Sequence, residues 1–215
     1  MSVLSPVQVE FDHLLDYRVE ISARADRVRV LVIPERRYLM IDGTGAPGGP
    51  AFAGAMAALY PVAYTLHFAL KKRGLEAPVG ALEGLYWIGQ PGPITPAEFA
   101  SPDVASRWAW RLMLPVPALA EDDDVAGAID DVRRRKSPPT IDQLHVVRWN
   151  EGLVAQIMHV GPYEAEAATI ETLHAAIEAR GLRPRDCHHE IYISDPNRTA
   201  AGRLKTVIRQ PVEVA

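Results

Sequence analysis

The sequence predicts an α+β fold made of two copies of a strand-helix-strand-strand unit, and three observations carry that expectation. A helix-like stretch ends in Lys71-Lys72-Arg73-Gly74, and nine residues after this glycine stands Glu83, inside the apolar run Ala81-Leu82-Glu83-Gly84-Leu85-Tyr86-Trp87. A second helix-like stretch ends in Glu178-Ala179-Arg180-Gly181, and Glu190 follows at the same spacing inside His189-Glu190-Ile191-Tyr192-Ile193, so glycine and glutamate both recur after 107 positions. The closing strand of each half also ends alike, Leu112-Met113-Leu114-Pro115 against Ile208-Arg209-Gln210-Pro211. A carboxylate inside a strand-like apolar run is costly to bury unless it is paired or used, so the repeat marks a site as well as a fold.

The elements follow in order. Val28 to Val32 and Arg37 to Ile41 read as strands, and the glycine- and proline-rich stretch from Asp42 to Pro50 reads as a loop into a helix. Phe52, Met56, Leu59, Ala63, Leu66 and Leu70 then alternate four and three apart, one face of an amphipathic helix. Pro61 is expected to kink or split it, and Gly74 to end it in the left-handed conformation that glycine tolerates. Leu82 to Ile88 and Trp108 to Pro115 complete the first half. In the second half a strand from Leu153 to Met158 leads through His159-Val160-Gly161-Pro162 to a helix from about Tyr163 to Arg180, and two strands follow, His189 to Ser194 and Leu204 to Arg209. Repeat one thus covers about 28–117 and repeat two about 145–213, within a single domain of 1–215. Between them, about 118–144, acids from Glu121 to Asp124 and bases from Arg133 to Lys136 suit the two ends of a short solvated helix.

Composition narrows the function. Hydrophobic residues at 48% and charged residues at 23% are ordinary for a globular protein, and 215 residues can enclose both a core and a pocket. The net charge of −4 argues against a broad nucleic-acid surface, and no helix-turn-helix is legible, so no direct nucleic-acid binding is expected. The segment Met1 to Glu10 lacks the basic start and apolar centre of a signal peptide, no run reaches about 18 apolar residues, and the one cysteine, Cys187, has no internal partner. A cytoplasmic protein with no membrane association is the expectation.

Taken together, Tyr38 to Gly43, Val62 to Phe68, Leu82 to Trp87, Trp108 to Arg111 and His189 to Pro196 resemble the GyrI-like small-molecule-binding family, which includes gyrase-inhibitory proteins and effector-binding domains of multidrug-responsive regulators. The resemblance spans about Tyr38 to Val212. It implies two small α+β modules whose sheets meet in a central cleft, with helices on the outer faces. A subgroup of stand-alone members, associated with hydrolysis of cyclopropanoid cytotoxins, resembles this chain more closely than the regulator domains do; that no DNA-binding segment is legible fits such a member and fits a drug-sequestering protein equally well.

Strand alternation sets Glu190, Tyr192 and Ser194 on one face and His189, Ile191 and Ile193 on the other. The isoleucines suit the helix side, leaving Glu190 and Tyr192 for the cleft. Glu83 and Trp87 share a face in the first half, as do Trp108 and Trp110, so aromatic rings with a few polar groups would line a small-molecule pocket. A hydrophobic or cationic ligand is expected, and two uses of the carboxylate follow. Ionised Glu190 attracts a lipophilic cation, each ring adding roughly 0.5–2 kcal/mol of cation–π attraction. Alternatively, a carboxyl buried among rings is a stronger base, able to deprotonate a water attacking a strained cyclopropane while Tyr64 or Tyr192 protonates the oxygen where charge gathers. Of the helical stripe Tyr60, Tyr64, His67 and Lys71, Tyr64 alone is favoured for the site, because it lies in a family-like segment, and its rank against Tyr192 as the acid stays open. The plainer alternatives are glutamates paired with Arg111 or Arg209 and tryptophans serving as core. Neither metal nor organic cofactor is expected: Cys187-His188-His189-Glu190 offers ligand types, but neighbours on a strand face opposite ways. A haem held by His67, His188 or His189 is the remaining alternative. Gyrase inhibition, with the pocket secondary, is a third function implied by the resemblance.

Overall fold

A computed structural model describes residues 16–101 and 107–215. The signal-peptide reading of Met1 to Glu10 lies outside them. In chain order the first elements are α1 (Tyr17–Glu20), β1 (Arg29–Ile33), β2 (Arg36–Thr44), α2 (Pro50–Lys72), β3 (Leu82–Ile88), α3 (Pro96–Phe99) and β4 (Trp108–Pro115). They are followed by α4 (Asp122–Arg135), β5 (His145–Trp149), β6 (Gly152–Val160), α5 (Ala167–Glu178), β7 (Leu182–Pro184), β8 (His188–Tyr192) and β9 (Lys205–Val214). Each half does contain strand, helix, strand and strand. These elements group into two compact units, one from Met1–Glu35, Leu85–Val104 and Asn150–Ala215, the other from Arg36–Gly84 and Ala105–Trp149.

In the second of these units β2 lies between β4 and β5, antiparallel to both. The α2 residues Phe52, Ala55, Leu59, Val62, Leu66 and Leu70 are buried against β2, β4 and α4. Pro61 does not split the helix, because Leu59 and Val62 on either side of it are fully buried and their packing offsets a cost of about 3 kcal/mol. By length and composition α2 could cross a bilayer, which a search for one unbroken apolar run does not register. Its buried stripe, packed on strands and on α4, is what a core helix presents. Gly74 ends α2 at φ +77°, with Leu75 N–H donating to Leu70 C=O at 3.1 Å. The linker forms α4 as expected, and Val125, Ala128 and Val132 seat one side of it. Its basic end is neutralised locally by Arg133–Asp130, Arg134–Asp131 and Arg135–Asp131 pairs.

Gly43 is placed directly opposite Trp110 across the β2–β4 ladder, and the indole lies on the glycine. A Cβ at position 43 would stand 2.2 Å from the Trp110 ring, which is fixed by its Nε1–H bond to Gly45 C=O (3.1 Å) and by an edge-on contact with Phe52. Gly43→Ala is therefore expected to cost about 1–3 kcal/mol, read as a lower urea midpoint with an unchanged slope.

In the first unit the strand order is β1-β6-β9-β8, with β7 on β9 and residues 85–88 of β3 beside β8. Thus β1 leaves the repeat it precedes in sequence and pairs with β6, while β5 pairs with β2. The sequence reading contains neither β5 nor the three-residue β7, and it ends β9 five residues early. Pro211 lies inside that strand, where its carbonyl accepts the Arg185 N–H at 2.9 Å. Ile170, Leu173 and Ile177 of α5 pack on Ala155, Ile157 and Ile208 to form this unit's main core.

Candidate functional site

The site is built on β8. Glu190 is the register partner of Ile208, and His189 of Arg209. Ile208 belongs to the core beneath α5, so Glu190 and Tyr192 project on the α5 side and His189 and Ile191 on the other. This reverses the expected facing of β8. Both sides are buried, and the side carrying Ile191 also holds a buried charge network, so apolarity alone does not tell them apart.

Glu190 is 7% exposed. The Tyr192 hydroxyl donates to its Oε2 at 2.7 Å, and His188 Nε2 lies 3.2 Å from its Oε1. Tyr86 on β3 reaches Tyr192 with 2.5 Å between the hydroxyl oxygens. Because the Tyr192 proton is committed to Glu190, Tyr86 is the donor, giving a relay from Tyr86 through Tyr192 to the carboxylate. Burial, and then the charge of Glu190, push both phenols well above their ordinary value, so both keep their protons.

Two further side chains come from the turn before α5. Tyr163 meets the Tyr192 ring edge-on at 5.8 Å, and Glu166, at the first turn of the helix, lies against the Glu190 carboxylate and the Thr206 hydroxyl. Phe99 of α3 contacts the His188 ring at 5.3 Å. The result is a carboxylate gripped by a phenol and an imidazole, with a second carboxyl beside it and the rings of Tyr86, Tyr163 and Tyr192 grouped nearby. It can attract a cation, accept a proton, or release a phenolic donor once Glu190 no longer needs it.

The other sequence candidates stand as follows. Tyr64 is 49% exposed on α2, stacked between Tyr60 and Phe68. Glu83 and, in β4, Trp110 are fully buried in the second unit, and Trp108 is buried there too. Trp87 is half-buried and, by alternation, faces away from Tyr86. The arginines suggested as partners are engaged elsewhere, Arg111 with Asp42 at 2.6 Å and Arg209 with Glu151 at 2.9 Å. His67 Nδ1 lies 2.7 Å from Ala77 C=O, and His188 and His189 each bond a carboxylate on opposite faces of β8.

Tyr86, His188, Glu166 and Tyr163 are the members that sequence reasoning missed. His188 and Tyr86 were legible in principle. His188 is two positions from Glu190 and shares its face, while alternation sets Tyr86 opposite the face chosen for β3. Glu166 carried no signal, since a glutamate at a helix start is ordinarily solvated.

Residues 124–213 match the GyrI-like small molecule binding domain. An uncharacterized conserved protein from Listeria innocua superimposes with a TM-score of 0.81 at 28% identity, over 92% of this chain and 97% of its own. A hydrolase from the same organism gives 0.76 at 28% identity, over 91% and 96%. The C-terminal domain of EcmrR shares the fold, with a TM-score of 0.54 at 13% identity over 88% of this chain and 98% of that domain. Among curated proteins there is no significant match. The α+β architecture shared with the Listeria innocua proteins and the match over residues 124–213 make this chain similar to the GyrI-like small molecule binding domain.

Proposed function

We propose that this protein captures hydrophobic electrophiles at Glu190 and hydrolyses them, with strained, carbonyl-activated cyclopropanes as the substrate class. The observation that carries this reading is the Glu190 carboxylate, buried and held by Tyr192 and His188 rather than by an arginine, with a phenol donor beside it. Water loses a proton to Glu190 as its oxygen bonds to a ring carbon. The ring C–C bond breaks, its electron pair passes to the conjugated carbonyl oxygen, and a proton from the phenolic relay meets the negative charge there. Once protonated, Glu190 accepts one fewer hydrogen bond, so the Tyr192 O–H is freed at the moment the oxyanion forms. The similarity to a hydrolase from Listeria innocua supports this reading. The cytoplasm is the proposed setting, in keeping with Cys187 as a buried free thiol.

A second reading is favoured by the same carboxylate and its three tyrosine rings: retention of a lipophilic cation without turnover. Mass spectrometry of a hundredfold excess of a cyclopropane-bearing alkylator, incubated with the protein, separates the two. Many equivalents gaining one water support hydrolysis. Intact compound retained at no more than one per chain leaves a binding protein.

A further inference from the structure

The helix α5 brings a second acid to Glu190. Glu166 is 2% exposed, and its Oε1 is buried without a hydrogen-bond partner. An ionised carboxylate in that position would combine an unsatisfied, charged oxygen with a like charge against it; protonation removes the repulsion and lowers the cost of the unsatisfied oxygen, since a neutral carbonyl oxygen is cheaper to bury than a charged one. Glu190, by contrast, has the Tyr192 and His188 donors that an anion requires. We propose that Glu166 and Glu190 share one proton, with Glu166 holding it and acting as a positioning residue that keeps Glu190 ionised and aimed.

Among the described residues, the ionisable groups that act on Glu166 support this assignment. From β8 come Glu190 and Tyr192, with His188 behind Glu190, and from β3 comes Tyr86. The turn before α5 adds Tyr163 and Glu164, and His159 on β6 is occupied with Thr169 Oγ1 and Pro162 C=O. Of these described groups none is a fixed cation that would stabilise a second negative charge. Burial first, and then the charge of Glu190, push the Glu166 carboxyl up to about 10. The neutral acid then donates a third hydrogen bond toward Glu190, complementing those of Tyr192 and His188. When Glu166 ionises at high pH, repulsion displaces Glu190 and the arrangement opens.

Part of this rests on the hydrolase reading, so the test has two arms. Glutamate carrying ¹³C at the side-chain carboxyl is introduced into the full chain, and the carboxyl signals are titrated by NMR in the wild type and in Glu166→Gln, a permanently neutral donor of the same shape. One carboxyl titrating far above the rest, and absent from the variant, is the expected result. Every glutamate titrating below about pH 6 would overturn the shared proton. In the second arm, the alkaline fall in kcat/KM of the wild type disappears in Glu166→Gln, and Glu166→Ala loses about ten- to a hundredfold at neutral pH. An unchanged alkaline limb in Glu166→Gln would refute the positioning role. A wild type that turns nothing over sinks the hydrolase reading instead, and the carboxyl titration still decides the pair.

Discussion

Replacing Glu151 by Gln is expected to destabilise the protein by about 3–5 kcal/mol, because it leaves the Arg209 guanidinium buried without its counter-charge. Glu151 Oε2 accepts from Arg209 Nη1 at 2.9 Å, and its Oε1 lies 2.7 Å from His189 Nδ1. Arg209 also donates to Gln156 Oε1 at 2.8 Å and to Glu20 C=O at 3.1 Å, so every member is engaged. Arg209→Met alone should cost a similar amount. The double variant Glu151→Gln/Arg209→Met should recover much of the loss, since no charge is then stranded. Urea unfolding of the four proteins measures the cycle, and strict additivity would refute the pairing. The same network sets acid sensitivity. Burial tends to raise the Glu151 carboxyl, but His189 and Arg209 more than offset it and hold it at about 2, against 4.5 unperturbed. The folded value lies below the unfolded one, so this stability is fully present above about pH 4.5 and is lost as pH falls toward 2. In Glu151→Gln that loss should be absent from the stability profile. The network also bears on function, because it clamps His189, the neighbour of Glu190 on β8.

Glu190→Gln should lower turnover by roughly 10²–10⁴-fold while leaving the fold intact. The amide keeps the shape and can still accept from Tyr192, but it cannot take a proton from water. KM is expected to change less than kcat for a neutral substrate, because the base acts in the transition state. For a cationic ligand the same substitution removes the attractive charge and weakens binding itself. Kinetics and direct binding on the one variant thus report which use of Glu190 operates. Undiminished turnover would exclude Glu190 as the base.

The difference between what was legible and what was not follows from the range of the interactions. Periodicity is local, so the α2 stripe, the glycine stop at Gly74 and the acid-to-base order of α4 could be read directly. Recurrence after 107 positions exposed the duplicated α+β plan and singled out Glu190. The strand β5 could not be read, since its residues are mostly exposed and show no clean alternation. It becomes a strand because β2 offers it hydrogen-bonding partners.

The sequence by itself determined the fold class and the likeness to GyrI-like proteins, and it pointed to the Glu190 carboxylate. Tertiary structure alone decided what surrounds that carboxylate: β1 joined to β6, Glu190 turned toward α5, Arg209 committed to Glu151, and Glu166 brought against Glu190. Side-chain alternation gives the relative facing along a strand but not which face meets the helix, and the partner of a buried charge is chosen by register between segments far apart in the chain.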